Sequence, residues 1–119
     1  MEKNASDEVA TSSEWETICA LADVTPNAGI CALFEGQQVA IFHSAITGGV
    51  YAIDNYDPIG EANVLSRGIM GSIGDELVVA SPLYKQHYSL LTGHCLEEET
   101  AQVKVYKVRV QQDQIQLAR

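Results

Sequence analysis

From Trp15 onward the apolar residues come in short runs separated by turn residues, and no stretch sustains the 3.6-residue period of an amphipathic helix. WETICA (15–20) reads as a first strand, followed by the turn-rich ADVTPNAG. ICALF and VAIFHS flank the tight turn EGQ, so residues 30–43 read as a hairpin. Gly48-Gly49 turns the chain into VYAID. The segment NYDPIGEANVLSRGIMGSIGD is crowded with Gly, Asn and Asp and reads as loop, with one short strand around Val64–Leu65. ELVVAS is a compact buried strand that ends at Pro82, which has no N–H for a ladder. HYSLL and HCLEE form a hairpin about Thr92-Gly93, and VKVYKVRV pairs with QIQLA across a polar turn at Asp113. About nine or ten short strands with regular turn signals predict an all-β sandwich or barrel.

One strand carries an internal conflict. Val103 and Val105 share one face of a regular pleat, whereas Val108 and Val110 lie on the other. Either both faces are covered, or a β-bulge near Tyr106–Lys107 resets the phase.

Composition narrows the class. The 119 residues fit one domain, placed at 15–119, and 46% hydrophobic content is enough for a core. Residues 1–14 are polar and acidic and read as a flexible tail, without the apolar core of a signal peptide. Sixteen acids against seven bases give a charge of −9, which disfavours nucleic acid and anionic membranes as partners. No apolar run approaches the roughly 20 residues of a membrane span. A cytoplasmic protein is expected, with Cys19, Cys31 and Cys95 as reduced thiols in or near the core.

Catalytic patterns are missing. The glycine-rich stretches GGVYA and GIMGSIG lack the strand-to-helix setting of a phosphate loop, and there is no G-x-S-x-G elbow. Glu97-Glu98-Glu99 reads as a solvated edge or turn. His87, His94 and Cys95 are the nearest approach to a metal set, but adjacent strand residues such as His94 and Cys95 point apart. His43 reads as an isolated, solvated or singly bonded histidine. No catalytic, cofactor-binding or metal-ligating residues are expected in this chain.

The segment order VYAIDNYDPIG, then ELVVASPLYKQHYSLLTGHCLEE, resembles the cluster-binding half of Rieske ferredoxins. There a strand leads into C-x-H and a later one into C-P-x-H, so that two thiolates and two imidazoles hold a [2Fe–2S] cluster. On this chain the four ligand positions fall on Tyr56, Pro58, Ser81 and Tyr84, none of which can replace its counterpart. A more specific resemblance is to the Rieske-like small subunits of bacterial assimilatory NAD(P)H-dependent nitrite reductases. It runs through Trp15–Pro26, Gly29–Phe42, Val50–Pro58, Val64–Gly68 and Val79–Gln86. Several members of that family also lack the cluster ligands.

This resemblance implies a Rieske-like antiparallel β-sandwich or barrel with two loops in the place of the cluster-binding loops. It implies an accessory subunit without a redox centre, whose large-subunit partner carries flavin, an iron–sulfur cluster and sirohaem and reduces nitrite to ammonium. In such a cluster-free version, Tyr56, Leu83 or Tyr84, and Tyr88 are expected to fill the interior the cluster would take. The tip formed by Asn55–Gly60 and Pro82–Gln86 is expected to meet the partner, through Tyr56, Asp57, Pro58, Ile59, Leu83, Tyr84 and Lys85. The edge at Gln114–Leu117 is the alternative surface. Two other readings stand beside this one: a stand-alone β-sandwich protein-binding module, and a [2Fe–2S] electron-transfer ferredoxin, which needs ligands the chain does not have.

Overall fold

The computed structural model describes residues 14–119; the expected tail lies outside the described residues except for Glu14. Eleven strands follow among them: β1 (Trp15–Ala20), β2 (Gly29–Phe34), β3 (Gln37–His43), β4 (Val50–Asp54), β5 (Tyr56–Asp57), β6 (Ala62–Asn63), β7 (Ile69–Ile73), β8 (Glu76–Ala80), β9 (His87–Ser89), β10 (Val108–Gln111) and β11 (Gln114–Ala118). The helical content named among them is two single 3₁₀ turns, Leu21–Asp23 and Leu65–Arg67. All ladders are antiparallel and form three three-stranded sheets, β10-β11-β1, β2-β3-β4 and β9-β8-β7, plus the small β5-β6 pair.

The middle sheet is covered on both faces, and its central strand shows why. Val39, Ala40, Ile41 and Phe42 of β3 are all completely buried. Alternate side chains go to opposite sides. Val39 and Ile41 join Phe34, Ala52, Tyr106, Ile115 and Leu117 beneath the β10-β11-β1 sheet. Ala40 and Phe42 join Ile53, Leu65, Leu77, Val79, Tyr88, Leu90, Cys95 and Val103 beneath the β9-β8-β7 sheet. A strand buried on both faces reads as an unbroken apolar run, as VAIF does. The β2–β3 turn, Glu35-Gly36, has both φ values positive (51° and 79°), the backbone of the tightest hairpins.

The conflict among the valines is resolved in a third way. Residues 104–106 pair with the free edge of β4, through Asp54 N–H to Lys104 O and Tyr106 N–H to Ala52 O, both 2.9 Å. The chain then leaves for the other sheet, where β10 pairs with β11. Val103 lies in the first core, Tyr106 in the second, and Val105 is exposed between them. The phase therefore changes because the chain passes from one core to the other, not through a bulge at Tyr106–Lys107. A register shift does occur elsewhere, between β1 and β11, where Ile18 is the extra residue.

Three further readings need correction. Val64–Leu65 is not a strand: Leu65 N–H is drawn to Asn55 O (3.0 Å) and Ser66 N–H to Asn55 Oδ1 (2.7 Å), which winds Leu65–Arg67 into a 3₁₀ turn. The strand nearby is β7, whose glycines hid it; it folds onto β8 around Gly74-Asp75. HCLEE forms only bridges, Cys95 with Tyr88 and His94 with Gln102, before Glu97 turns back to His87. Cys31 is exposed on edge strand β2, while Cys95 is buried and Cys19 half-buried. No helix among the described residues is long and apolar enough to cross a membrane.

Candidate functional site

Four connections in this fold share one backbone design. In each, a first residue accepts at its carbonyl from the N–H four residues on, and its side-chain oxygen accepts from N–H groups two or three residues on. The first residues are Ser44, Asp57, Ser81 and Ser89. The fifth residue of each loop is left-handed: Gly48 (φ 75°), Glu61 (58°), Lys85 (68°) and Gly93 (80°). Short polar side chains that bond their own following backbone are the physical basis of such turns. In sequence the pattern is SAITG, DPIGE, SPLYK and SLLTG, a recurrence at fixed offsets that was there to be found.

The second and third of these loops are the two tip loops, and their first residues bond to each other. Ser81 Oγ donates to Asp57 Oδ2 (2.5 Å), and Tyr88 Oη donates to Asp57 Oδ1 (2.7 Å). Ile59 N–H donates to the same Oδ1 at 2.9 Å. Asp57, Ser81 and Tyr88 are all buried, at 0%, 1% and 0% exposure. Burial pushes the Asp57 carboxyl up, but donors from Ser81, Tyr88 and the backbone of Gly60 and Ile59 outweigh it and hold the group below its ordinary value. Asp57 is thus a buried carboxylate with its charge shared among donors. Desolvation and the Asp57 carboxylate push the Tyr88 phenol the other way, far above its ordinary range, so it stays a donor.

The expected interior packing is therefore correct for Tyr88 and wrong for the rest. Tyr56, Leu83 and Tyr84 point outward, with 44%, 45% and 64% exposure. The interior is closed by the buried Tyr88 and by the hydrogen bonds of Tyr88 and Ser81 to Asp57, so the other three side chains are not required there. Asp57, expected at the partner surface, faces inward. Ile59 is half-buried and packs against the first core, and Pro58 is half-buried beside it. Lys85 is exposed in its left-handed turn. The loops also approach through apolar atoms: a Cβ on Gly60 would fall 2.5 Å from Leu83 Cδ1, so a larger residue there would require the Leu83 side chain to move.

These donors do not suit a [2Fe–2S] cluster. Pro58 has no side-chain ligand atom, the Ser81 hydroxyl is committed to Asp57, and the Tyr56 and Tyr84 side chains, with hard phenol oxygens, are turned outward. No group of three His, Cys, Asp or Glu side chains suited to a metal is present among the described residues. His94 and Cys95 do diverge, one exposed and one buried. His87 instead pairs with Glu97, Nδ1 to Oε2 at 2.6 Å, while its N–H donates to Glu97 Oε1 at 2.8 Å. Desolvation pushes the Glu97 carboxyl up, but the hydrogen bonds and charge of His87 together outweigh it and hold the group below its ordinary value. His43 is half-buried, and its Nδ1 is buried without a partner among the described residues.

Three sheets, a tip of two paired loops and ligand positions filled by non-ligands define a Rieske-like domain whose loops are joined by a carboxylate. Residues 14–118 match the Rieske-like [2Fe-2S] domain family. The ferredoxin of carbazole 1,9a-dioxygenase from Nocardioides aromaticivorans shares the fold at 23% identity, with a TM-score of 0.76 over 87% of this chain and 96% of that one. The nitrite reductase (NADH) small subunit of Salmonella typhimurium is 48% identical over 105 residues, 88% of this chain and 97% of that protein. The NMR structure of the Escherichia coli protein NirD superposes with a TM-score of 0.79 at 46% identity, covering 87% of this chain and 94% of that one. This chain belongs to the nitrite reductase small-subunit family. It is also 39% identical over 104 residues to a stretch making up 11% of the nitrite reductase [NAD(P)H] large subunit of Klebsiella oxytoca.

Proposed function

We propose that this chain is the small subunit of a cytoplasmic NAD(P)H-dependent nitrite reductase, and that it docks on the large subunit without contributing a redox centre or a catalytic residue. Flavin, iron–sulfur cluster and sirohaem then belong to the large subunit, which reduces nitrite to ammonium. The observation that carries this reading is the division of the tip into two halves. Inward, Asp57 joins both loops; outward, the same loops present Tyr56, Leu83, Tyr84 and Lys85 on a fixed backbone. Rigid, exposed tyrosines supply contact area at low entropic cost. Lys85 holds a left-handed position that two of the sister loops give to glycine. A side chain there costs about 1–2 kcal/mol, which fits a residue kept for what it contacts. The Klebsiella large subunit, with a matching stretch in its own chain, supports the pairing of the two parts.

Two measurements test this. Anaerobically prepared protein is expected to contain no iron or acid-labile sulfide, and about two irons per chain would overturn the cluster-free reading. Binding to the purified large subunit is expected to weaken by about 30-fold or more in the double variant Tyr56→Ala/Tyr84→Ala, in line with about 2 kcal/mol for an interface anchor. Because both side chains are exposed, the thermal midpoint of the isolated chain should barely move. Unchanged affinity would place the interface elsewhere, though not on the Gln114–Leu117 edge expected from the sequence: β11 is the central strand of its sheet, paired on both sides, with Ile115 and Leu117 fully buried.

A further inference from the structure

The β9-β8-β7 sheet ends in an edge that is open and apolar. The two-residue turn at Gly74-Asp75 makes Ile73 and Glu76 a hydrogen-bonded pair, and alternation then extends this to Gly71–Val78 and Ile69–Ala80. The N–H and C=O groups of Met70 and Ser72 therefore point away from β8, and neither makes a further backbone bond among the described residues. Ile69 and Ile73 stand on the outer face at 75% and 43% exposure. Natural edges are usually blunted by lysine, proline or a bulge. IMGSI has none of these.

We propose that this edge pairs with β7 of a second copy of the chain, antiparallel about a two-fold axis through Gly71. The chain from Arg67 to Asp75, RGIMGSIGD, is close to self-complementary in that register. Gly71 faces Gly71 of the other copy, and Met70 faces Ser72, so the outward donors and acceptors pair in full. Ile69 lies beside Ile73, which covers both isoleucines. At each end Arg67 of one copy comes to Asp75 of the other. Both are exposed, and neither is in an ion pair among the described residues. Opposite charges at the two ends select the antiparallel register, because a parallel or shifted pairing loses them. Gly71 also leaves room at the axis, since a Cβ built on it meets nothing within 4 Å. The product is a continuous six-stranded sheet with an isologous interface.

The test uses the full chain in analytical ultracentrifugation up to about 1 mM, where mass action favours a weak dimer. The dimer fraction is expected to rise with concentration and to vanish in Ser72→Pro, which removes an outward N–H and leaves the β7–β8 ladder intact. Arg67→Asp and Asp75→Arg should each weaken self-association, and the double swap should restore it. Facing positions that make no hydrogen bond to each other sit about 4.5 Å apart at Cα, within disulfide range. Gly71→Cys in a Cys31→Ser background should therefore crosslink to itself under mild oxidation, faster than Thr25→Cys in the same background. A chain that stays monomeric throughout, with Gly71→Cys linking no faster than the control, overturns the proposal. So does a Ser72→Pro chain that loses only the large subunit while the parent shows no self-association.

Discussion

Replacing Asp57 by alanine is expected to lower the stability of the fold by about 3–5 kcal/mol, because it strands several buried donors at once. Ser81 Oγ, Tyr88 Oη and the Ile59 N–H all point at this carboxylate, which is fully buried. Asp57→Asn keeps the shape but brings an amide N–H₂ toward at least one donor, so an intermediate loss is expected. Tyr88→Phe removes one of the bonds and should cost about 1.5–3 kcal/mol. Urea unfolding at pH 7 reads all three. An Asp57→Ala midpoint within about 1 kcal/mol of the parent would mean that the carboxylate does not join the loops. Acid offers an independent check. The folded pKa of Asp57 is below its unfolded value, so its contribution is fully present above the unfolded pKa of about 4 and is lost as pH falls through the folded one. The parent should therefore lose stability more steeply than Asp57→Asn as the pH falls below about 4.

Gly93→Ala is expected to be nearly as damaging, by about 3–5 kcal/mol, while Gly48→Ala costs about 1–2 kcal/mol. The two glycines hold the same place in sister loops, at φ 80° and 75°. Their surroundings differ. A Cβ on Gly93 would lie 2.1 Å from Val103 O, a backbone atom fixed by its place beside the first core, whereas one on Gly48 meets nothing within 4 Å. The left-handed strain is common to both, and the overlap belongs to one. Thermal unfolding of the pair separates the two effects, and equal losses would show that the Gly93–Val103 approach relaxes freely.

Much of this fold was legible in the sequence because the strands that build the cores are strongly patterned. WETICA, the hairpin over 30–43, VYAID and ELVVA all stand where the apolar runs placed them. Strand β7 was not legible: with a glycine at its centre and an outer face open to solvent, IMGSI has neither propensity nor alternation to mark it. The passage of residues 103–110 between two cores was visible as a clash of phase, but its cause depends on which edges lie nearby. At the tip, the ligand positions could be aligned from sequence, while side-chain direction could not. Tyrosine reads as a filler of space and aspartate as a surface residue, and the reverse holds for Tyr56, Tyr84 and Asp57 because three donors converge on a single carboxylate.

The bond between Asp57 and Ser81 also bears on how this protein is made. Two loops that a metal centre would otherwise tie together are closed here by atoms the ribosome has already supplied. On the proposed cluster-free reading, maturation would need no sulfide donor and no cluster scaffold protein. Under the same reading, the folding of this component in an iron-starved cell would not wait on iron.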